Sequence, residues 1–326
     1  MCDGINRRAM LRLGATLAAV LPAAAFAQAD FPNRAIKIVV PLPPGATADT
    51  LPRIIGEKLT ARWGQPVIIE NKPGAAQNLG AEAVARSEPD GYTLLATPQG
   101  PLVISGALFP RLGFDPGAFV PVTVMASLPY VLVVHPKVPV ASVAELVAYA
   151  KANPDKLNYA SPGNGSSTQL AVEWLKSLAD IRMTHVPYRG AAPALTDLLA
   201  GHVDLMIDNL GNVLTHIRDG RLKALAVAED KRIAELPNVP TMAETYPPFV
   251  TASWFAIVAP PKTPAPVAGK LSQAMGEILR MPEVVQRLRE LGATPVGSTP
   301  EETAAFIKAE AERWRKVVAE ANIKPE

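Results

Sequence analysis

Cysteine is almost absent from this sequence, in which Cys2 is the only one. We expect Cys2 to be removed with an N-terminal targeting segment, which excludes disulfide and thiol chemistry from the rest of the chain. The histidines do not replace the missing thiols, because they are scattered without the spacing of metal ligands. We therefore predict neither a metal nor another cofactor. The four histidines, which we interpret as structural, are His135, His185, His202 and His216.

The sequence also lacks a surplus of charge of one sign. Its formal net charge is +2 at pH 7. Removal of the first 27 residues would take away three arginines and one aspartate, and so bring the charge close to zero. A surface that binds nucleic acid needs an excess of lysine and arginine on one face. We therefore expect no nucleic acid among the partners of this protein.

Long apolar runs are missing beyond the N-terminus, where none is long enough to cross a membrane. The N-terminal run, Leu13–Phe26, is too short to act as a stable membrane anchor. It follows Arg7 and Arg8 and leads to a small-x-small pattern that a signal peptidase accepts. We predict an export signal cleaved after Ala27, by either the Sec or the twin-arginine route, and a periplasmic location.

Short apolar, β-branched runs are present throughout the rest of the chain, and segments of helical periodicity separate them. Several runs are continuous rather than alternating, which indicates strands buried on both faces of a parallel sheet. This order predicts an α/β fold, and the chain is longer than one typical domain. The predicted strands are Ile36–Val40, Val67–Glu70, Thr93–Ala96, Val131–His135, Leu157–Ser161, His185–Tyr188, Val203–Asp208, Ala224–Ala228 and Ala256–Ala259.

Two helix starts carry clear capping signals. Ser142 is followed three residues later by Glu145, which predicts a capping box. Thr299 is expected to cap the C-terminal helix, with Pro300 in the first helical position and Glu302 in the third.

The chain is predicted to pass between two lobes twice, near residues 125–132 and 245–256, where it is apolar and rich in proline. We therefore assign residues 28–130 to the first part of lobe 1 and 131–248 to lobe 2. Residues 249–326 return to lobe 1 and include the C-terminal helix. A cleft between such lobes collects the loops at the carboxyl ends of the strands, where open α/β sheets bind ligands.

Three loops have the composition of an anion site, at residues 41–49, 161–168 and 188–193. Each leads into a predicted helix, whose first turn offers unpaired N–H groups and the positive end of the helix dipole. Such a site holds a carboxylate without a buried lysine. Glycine and serine are also ordinary turn residues in any single loop, so it is their recurrence in both lobes that favours binding. In the first loop, we expect Asp49 to cap a helix that begins near Thr50 or Leu51.

Two charged residues near these loops allow more than one interpretation. Asp208 ends a predicted strand. It could accept a hydrogen bond from a ligand hydroxyl or ammonium group, bind water, or cap the next turn. Arg189 lies in the third loop, and would either pair with a ligand carboxylate or lie on the surface.

The sequence resembles the solute receptors of tripartite tricarboxylate transporters, also called the Bordetella uptake gene family. The match runs from about Phe31 to the C-terminus and depends on a set of motifs in a fixed order. These read FPNRAIKIVVPLPPGATAD from Phe31, GQPVIIENKPGAA from Gly64, PDGYTLL from Pro89, KLNYASPGNGSS from Lys156, HVPYRG from His185, GRLKALAV from Gly220, LPNVPTMAE from Leu236 and APPKTP from Ala259.

The resemblance implies a two-lobed, type II periplasmic-binding-protein fold. It also implies capture of a small mono-, di- or tricarboxylate, often through bridging waters, and its delivery to a membrane permease. We expect the receptor to be a monomer. The residues that the resemblance places at the ligand are Pro44, Gly45, Thr47, Asp49, Asn78, Thr97, Ser161, Gly163, Gly165, Ser166, Ser167, Tyr188, Gly190 and Asp208.

The sequence departs from the family pattern at two positions of these loops. Ala46 stands where the family usually has a second glycine, and Gln169 where it commonly has histidine. These changes bear on the identity of the ligand more than on the fold.

Two other functions remain open at this stage. The same closed state could signal to a membrane sensor kinase rather than to a permease. A serine hydrolase would use Ser166 or Ser167 as nucleophile and a histidine as base, but the chain has no Gly-x-Ser-x-Gly elbow and no phosphate-binding loop. We therefore expect no enzymatic activity.

Overall fold

A computed structural model describes residues 31–45, 47–321 and 323 of the chain. The predicted export signal lies outside the described residues, as does Ala46. Among the described residues, no helix combines the length and the apolar character needed to cross a bilayer.

The strands fall where the sequence predicts them, with one exception and one addition. The run at Val131–His135 is only the end of a much longer strand, and a short strand near the C-terminus was not predicted. The strands are β1 (Ile36–Val40), β2 (Val67–Asn71), β3 (Thr93–Pro98), β4 (Val120–Val134), β5 (Asn158–Ser161), β6 (Thr184–Pro187), β7 (Leu205–Asn209), β8 (Lys223–Val227), β9 (Ala252–Ala259) and β10 (Thr294–Pro295).

Helices separate most of these strands, which confirms the predicted α/β fold. They are α1 (Thr47–Trp63), α2 (Asn78–Ala85), α3 (Ser105–Leu108), α4 (Val143–Ala152), α5 (Ser167–Ala179), α6 (Ala191–Leu199), α7 (Leu210–Arg218), α8 (Ala265–Leu279), α9 (Pro282–Glu290) and α10 (Pro300–Glu320).

The strands follow the order β2-β1-β3-β9-β4-β7-β5-β6, and β8 and β10 also pair with β4. The prediction of parallel pairing is confirmed for β1 with β2 and β3, and for β5 with β6 and β7. Every pairing of β4 and β9 is antiparallel. One group of strands therefore lies on each side of the long strand β4.

Strand β4 belongs to both groups because its partners change along its length. Its first part pairs with β9 as far as Pro129, and its last part pairs with β7 from Tyr130 onward. The sequence did not reveal the first part because prolines such as Pro121 argue against a strand. The structure accommodates them with register shifts between β4 and β9, between Pro121 and Thr123 and between Val124 and Ala126.

Each strand group packs apolar side chains against its own helices, and a third, larger apolar cluster contains residues of both groups. Leu51 and Ile55 of α1 are fully buried against Ile38 of β1 on one side, and Leu198 of α6 packs near Val133 of β4 on the other. Burial of one such side chain contributes about 2 kcal/mol to folding. These contacts hold the helices in place, so that the first turns of α1 and α6 are presented to the space between the two strand groups.

The predicted helix starts are confirmed at α10 and in part at α4. Thr299 and Glu302 form a complete capping box. Ser142 accepts from the backbone N–H of Glu145 at 3.1 Å, as predicted. The carboxylate of Glu145, however, accepts from the N–H of Ala141 at 2.8 Å rather than from that of Ser142.

The predicted start of the first helix was wrong. Helix α1 begins at Thr47, so Asp49 lies inside its first turn instead of capping it. From this position its carboxylate accepts from the N–H of Gly45 at 3.1 Å. An acidic side chain is favoured in the first turn as well as at the cap, because both places lie near the positive end of the helix dipole.

Candidate functional site

A cleft lies between the two strand groups, and it has an inner and an outer part. The inner cavity has a volume of about 110 Å³, and the outer cavity a volume of about 920 Å³. The two are continuous, because Pro43, Gln77, Ser166, Arg189 and Gly190 line both.

Four helices begin at the inner cavity. Thr47 of α1, Ser167 of α5, Ala191 of α6 and the asparagine before α7, Asn209, all line it. The caps of α6 and α7 make no side-chain hydrogen bond to the helix. Unpaired N–H groups and the positive ends of helix dipoles therefore converge on one space, which is the arrangement that binds an anion.

Hydroxyl groups at the start of α5 add donors to the wall. Ser166 caps α5 by accepting from the N–H of Gln169 at 3.3 Å, which leaves its own proton available. Thr168 is only 5% exposed, and its hydroxyl has no hydrogen-bond partner among the described residues. A buried polar atom without a partner is costly unless something else binds it, so Thr168 indicates a place for a ligand or a water.

Tyr130 lies behind this wall at the point where β4 changes partners. Its hydroxyl oxygen lies 2.6 Å from that of Ser167 and 3.3 Å from the side-chain nitrogen of Gln99. Burial raises the pKa of Tyr130 to about 12, so the phenol stays protonated. Gln99 donates to the phenol oxygen, so the phenol proton is available for Ser167, which can then direct its own proton at the cavity.

Asp208 is the acidic group of the inner cavity and is 1% exposed. Burial raises its pKa to about 6, although hydrogen bonds from the N–H of Asn209 (2.8 Å) and the amide of Asn212 (3.1 and 3.2 Å) oppose the shift. The bond from Asn209 N–H shows that Asp208 also caps the turn before α7. Asp208 therefore caps this turn and lines the inner cavity, and its contact with a ligand or a water stays a prediction.

The arginines that line the cleft are exposed. Arg189 lines both cavities yet is exposed, and Arg111 lines the outer cavity. Within the described part of the chain, no other lysine or arginine lines the inner cavity. An anion in the inner cavity would thus depend mainly on peptide N–H groups and hydroxyls.

The structure brings most of the predicted ligand residues together in this cleft. Those that line one or both cavities are Pro44, Thr47, Asn78, Gly163, Ser166, Ser167, Tyr188, Gly190 and Asp208.

Asp49 and Gly45 line neither cavity, and they bond to each other through Gly45 N–H. The Asp49 carboxylate also accepts from Arg53 at 2.8 and 3.0 Å and from Asn71 at 2.8 Å. Burial alone would raise the pKa of Asp49, but these hydrogen bonds outweigh it and lower the pKa. Asp49 thus fixes the start of α1 rather than facing the cleft.

Thr97, Ser161 and Gly165 also lie outside the cavity walls, because their polar groups bond within the protein. The Thr97 hydroxyl donates to the carbonyl of Pro98 at 2.9 Å, and Ser161 Oγ lies 2.6 Å from His185 Nε2. The N–H of Gly165 donates to the side-chain oxygen of Gln169 at 2.6 Å. These contacts hold the glycine-serine loop in shape.

Sequence reasoning missed several residues that line the inner cavity. Tyr130 and Ser253 lie in the two regions where the chain was predicted to cross, and crossing strands necessarily pass the cleft. Asn209 and Asn212 follow Asp208 on the next helix turn. The full set of missed residues with polar side chains in the inner cavity is Gln77, Tyr130, Asn209, Asn212 and Ser253.

The structure gives no support to hydrolytic chemistry in the cleft. His185 bonds to Ser161, which faces neither cavity, whereas Ser166 and Ser167 make no bond to a histidine in the described ranges. The same part of the chain holds no group of three or more His, Cys, Asp or Glu side chains that could bind a metal.

Two strand groups with a helix-lined cleft between them are the architecture of periplasmic binding proteins. The chain also matches solved structures of that class. The chain matches R. palustris Rpa4515 with adipate at a TM-score of 0.86 and 37% identity, over 91% of this chain and 100% of that one. It matches MatC of Rhodopseudomonas palustris with bound malate at a TM-score of 0.83 and 35% identity, over 88% of this chain and 100% of MatC. The chain matches the periplasmic binding protein BugD at a TM-score of 0.84 and 32% identity, over 91% of this chain and 100% of BugD.

Sequence comparison specifies the family within that class. Residues 51–323 match the model of the tripartite tricarboxylate transporter family receptor. Protein BugT of Bordetella pertussis is 37% identical over 320 residues, which cover 97% of this chain and 98% of BugT. The chain belongs to the tripartite tricarboxylate transporter receptor family, a family of solute receptors.

Proposed function

We propose that this protein is an exported receptor that binds a small carboxylate in the cleft and delivers it to a membrane permease of the tripartite tricarboxylate type, without chemical change. The observation that carries the proposal is the convergence of the starts of α1, α5, α6 and α7 on a cavity with no lysine. This arrangement neutralises an anion by dipoles and hydrogen bonds, and it leaves the ligand free to dissociate to the permease.

The relatives support a carboxylate as the ligand. Rpa4515 is described with adipate and MatC with malate, and both share more than a third of their residues with this chain over most of its length. The two acids differ in length and substitution. The family fold therefore accommodates different acids, and the residues that line the cleft of this chain select among them.

We propose two roles for the residues at the ligand. Those that line the cavities, including Thr47, Ser166 and Gly190, contact the ligand directly or through water. Gly45, Asp49, Thr97, Ser161 and Gly165 hold the loops that present those contacts.

The division of the chain completes the proposal. An export signal ends at Ala27, lobe 1 comprises residues 28–130 and 249–326, and lobe 2 comprises residues 131–248. The change of β4 partners after Pro129 supports the first of these boundaries. Such a receptor acts as a monomer that closes on its ligand, since the ligand favours the closed state by contacting both lobes.

The sharpest test uses Thr168→Val in a thermal-shift screen of small carboxylates, followed by calorimetry. Valine keeps the shape of threonine and removes a hydroxyl that has no partner in the described protein. We therefore expect unchanged stability without ligand and an affinity lower by about tenfold, since one hydrogen bond to a charged group contributes about 1.5 kcal/mol or more.

Ser177→Ala is the matched control, because Ser177 lies on the same helix but is exposed. It should leave affinity unchanged. The proposed function is rejected if no small carboxylate raises the melting temperature of the unmodified protein, because a ligand at a hundredfold excess over Kd stabilises by about 2.7 kcal/mol.

A further inference from the structure

The wall of the inner cavity offers hydrogen-bond acceptors as well as donors. Among the described residues, Asp208 Oδ2 accepts only from Asn212, at 3.2 Å, although an ionised carboxylate has about four acceptor sites. The side-chain oxygen of Asn209, the next residue, is buried and has no partner among the described residues. Gln77 contributes a second buried amide oxygen without such a partner.

A carboxylate ligand alone cannot satisfy these atoms, because an ionised carboxylate has only acceptors. The one cationic side chain that lines the inner cavity is Arg189, and it forms no hydrogen bond with Asp208 in the described structure. A purely anionic ligand would therefore place its negative charge in a small cavity that already contains a buried carboxyl group. Both effects disfavour an unsubstituted acid.

We propose that the ligand carries a hydroxyl or an ammonium group in addition to its carboxylate, and that Asp208 and Asn209 accept hydrogen bonds from that group. The carboxylate binds at the starts of α1, α5 and α6, where Thr47, Ser166 and Thr168 add hydroxyl donors. The inference rests on the proposed function and narrows its substrate class to hydroxy acids and amino acids.

Discrimination in such a site is strong, because an analogue without the donor leaves buried acceptors unpaired. Sites built to bond a substrate hydroxyl reject the analogue that lacks it far more strongly than apolar pockets reject a missing methylene. The selectivity should therefore depend on Asp208 and Asn209, and not on the residues that bind the carboxylate.

The test is calorimetry on the full exported chain with matched acids: succinate, malate and aspartate, and glutarate, 2-hydroxyglutarate and glutamate. We expect the best hydroxy or amino acid of a series to bind about tenfold more tightly, or better, than its unsubstituted parent. Comparison of malate with aspartate, and of 2-hydroxyglutarate with glutamate, distinguishes a hydroxyl from an ammonium donor. In Asp208→Ala, the ratio of the affinity for the substituted acid to the affinity for its unsubstituted parent should fall towards one.

Asn209→Ala provides an independent variant, because the Asn209 side chain caps no N–H of α7. This variant should reduce the same affinity ratio even if Asp208→Ala fails to fold. Thr168→Val, by contrast, should lower the affinity for both acids of a pair equally. If the parent acids bind as tightly as the substituted ones, or if the ratio survives in the folded variants, this inference is overturned while the receptor function stands. If no acid of either kind binds, this inference is overturned, and the thermal-shift screen of other small carboxylates decides the receptor function separately.

Discussion

The hydroxyl oxygens of Tyr130 and Ser167 lie 2.6 Å apart, and this contact joins strand β4 to the start of α5 at the cleft. Tyr130 is the first residue of β4 to pair with β7, whereas Ser167 is the first residue of α5 and lines the inner cavity. Gln99, which follows β3, also bonds to the Tyr130 hydroxyl at 3.3 Å. A single buried hydroxyl thus connects strand β4 and the segment after β3 with a side chain that lines the inner cavity.

Tyr130→Phe should weaken both folding and binding. The change leaves the ring in place but removes the partner of Gln99 and Ser167, and a buried hydrogen bond contributes about 1 kcal/mol. We expect the free energy of unfolding in urea to fall by about 1–2 kcal/mol, and carboxylate affinity to fall by about threefold or more. Tyr149→Phe is the control, since the Tyr149 hydroxyl bonds to no described residue. Equal behaviour of the two variants would contradict this role for Tyr130.

The backbone of Gly211, at the start of α7, lies in direct contact with the backbone of the turn after α9. A side-chain carbon at Gly211 would overlap the carbonyl oxygen of Leu291, and one at Gly292 would lie 2.8 Å from the nitrogen of Gly211. Helix α7 follows β7 on one side of the cleft, whereas the Leu291 turn leads to β10 on the other. Only glycine at position 211 therefore allows the two sides to approach this closely.

Gly211→Ala should lower ligand affinity by about tenfold or more, because it prevents the close approach of the two sides of the cleft. The melting temperature without ligand should fall or stay the same, because the added carbon displaces the Leu291 turn and the helix preference of alanine offsets only about 1 kcal/mol of that cost. Gly269→Ala in α8 is the control, because an added side chain there meets nothing within 4 Å. An unchanged affinity in Gly211→Ala would show that closure does not need this contact.

Asp208 should make stability depend on pH. Its pKa is raised from 3.8 to about 6 by burial, so the folded protein binds the proton more tightly than the unfolded chain. This contribution is complete below about pH 4 and is lost as pH rises through about 6, by up to about 3 kcal/mol. We expect Asp208→Asn to remove this loss, so that its unfolding free energy falls less than that of the unmodified protein between pH 4 and 7.

Chemical unfolding at several pH values measures this effect. Asp219→Asn changes an exposed residue just after α7 and serves as the control. If the profiles of Asp208→Asn and the unmodified protein are parallel over this range, the carboxyl group of Asp208 is not the source of the pH dependence.

Glu310 should be required for the attachment of α10 to β9. Its carboxylate accepts from Trp254 Nε1 at 2.9 Å and from Arg313 at 2.8 Å, in a largely buried position. Glu310→Ala leaves a buried indole N–H and a partly buried arginine without their partner, so we expect a loss of about 2–4 kcal/mol in unfolding free energy. Tryptophan fluorescence should report the change near Trp254. Exposed Glu312→Ala should have little effect, and equal losses in the two variants would contradict the prediction.

Much of the site could be predicted from the sequence because its parts are local. The loops before α5 and α6 are identified by glycine and serine between an apolar run and a helical pattern, and the structure places Ser166 and Gly190 in the cleft as expected. Asp208 was identified for the same reason, as the polar end of a buried strand. The start of α1 was misjudged because an aspartate is favoured both at a helix cap and in the first turn.

The sequence by itself determined the α/β fold, the loops that lead into α5 and α6 at the cleft, and the family motifs, since each depends on residues close together in the chain. Only the tertiary structure decided that Tyr130 contacts Ser167 and that Gly211 contacts Leu291. It also decided which loop residues line the cleft and which bond within the protein. Those outcomes depend on how β4 pairs with distant strands, and strand pairing depends on contacts between segments that no local pattern specifies.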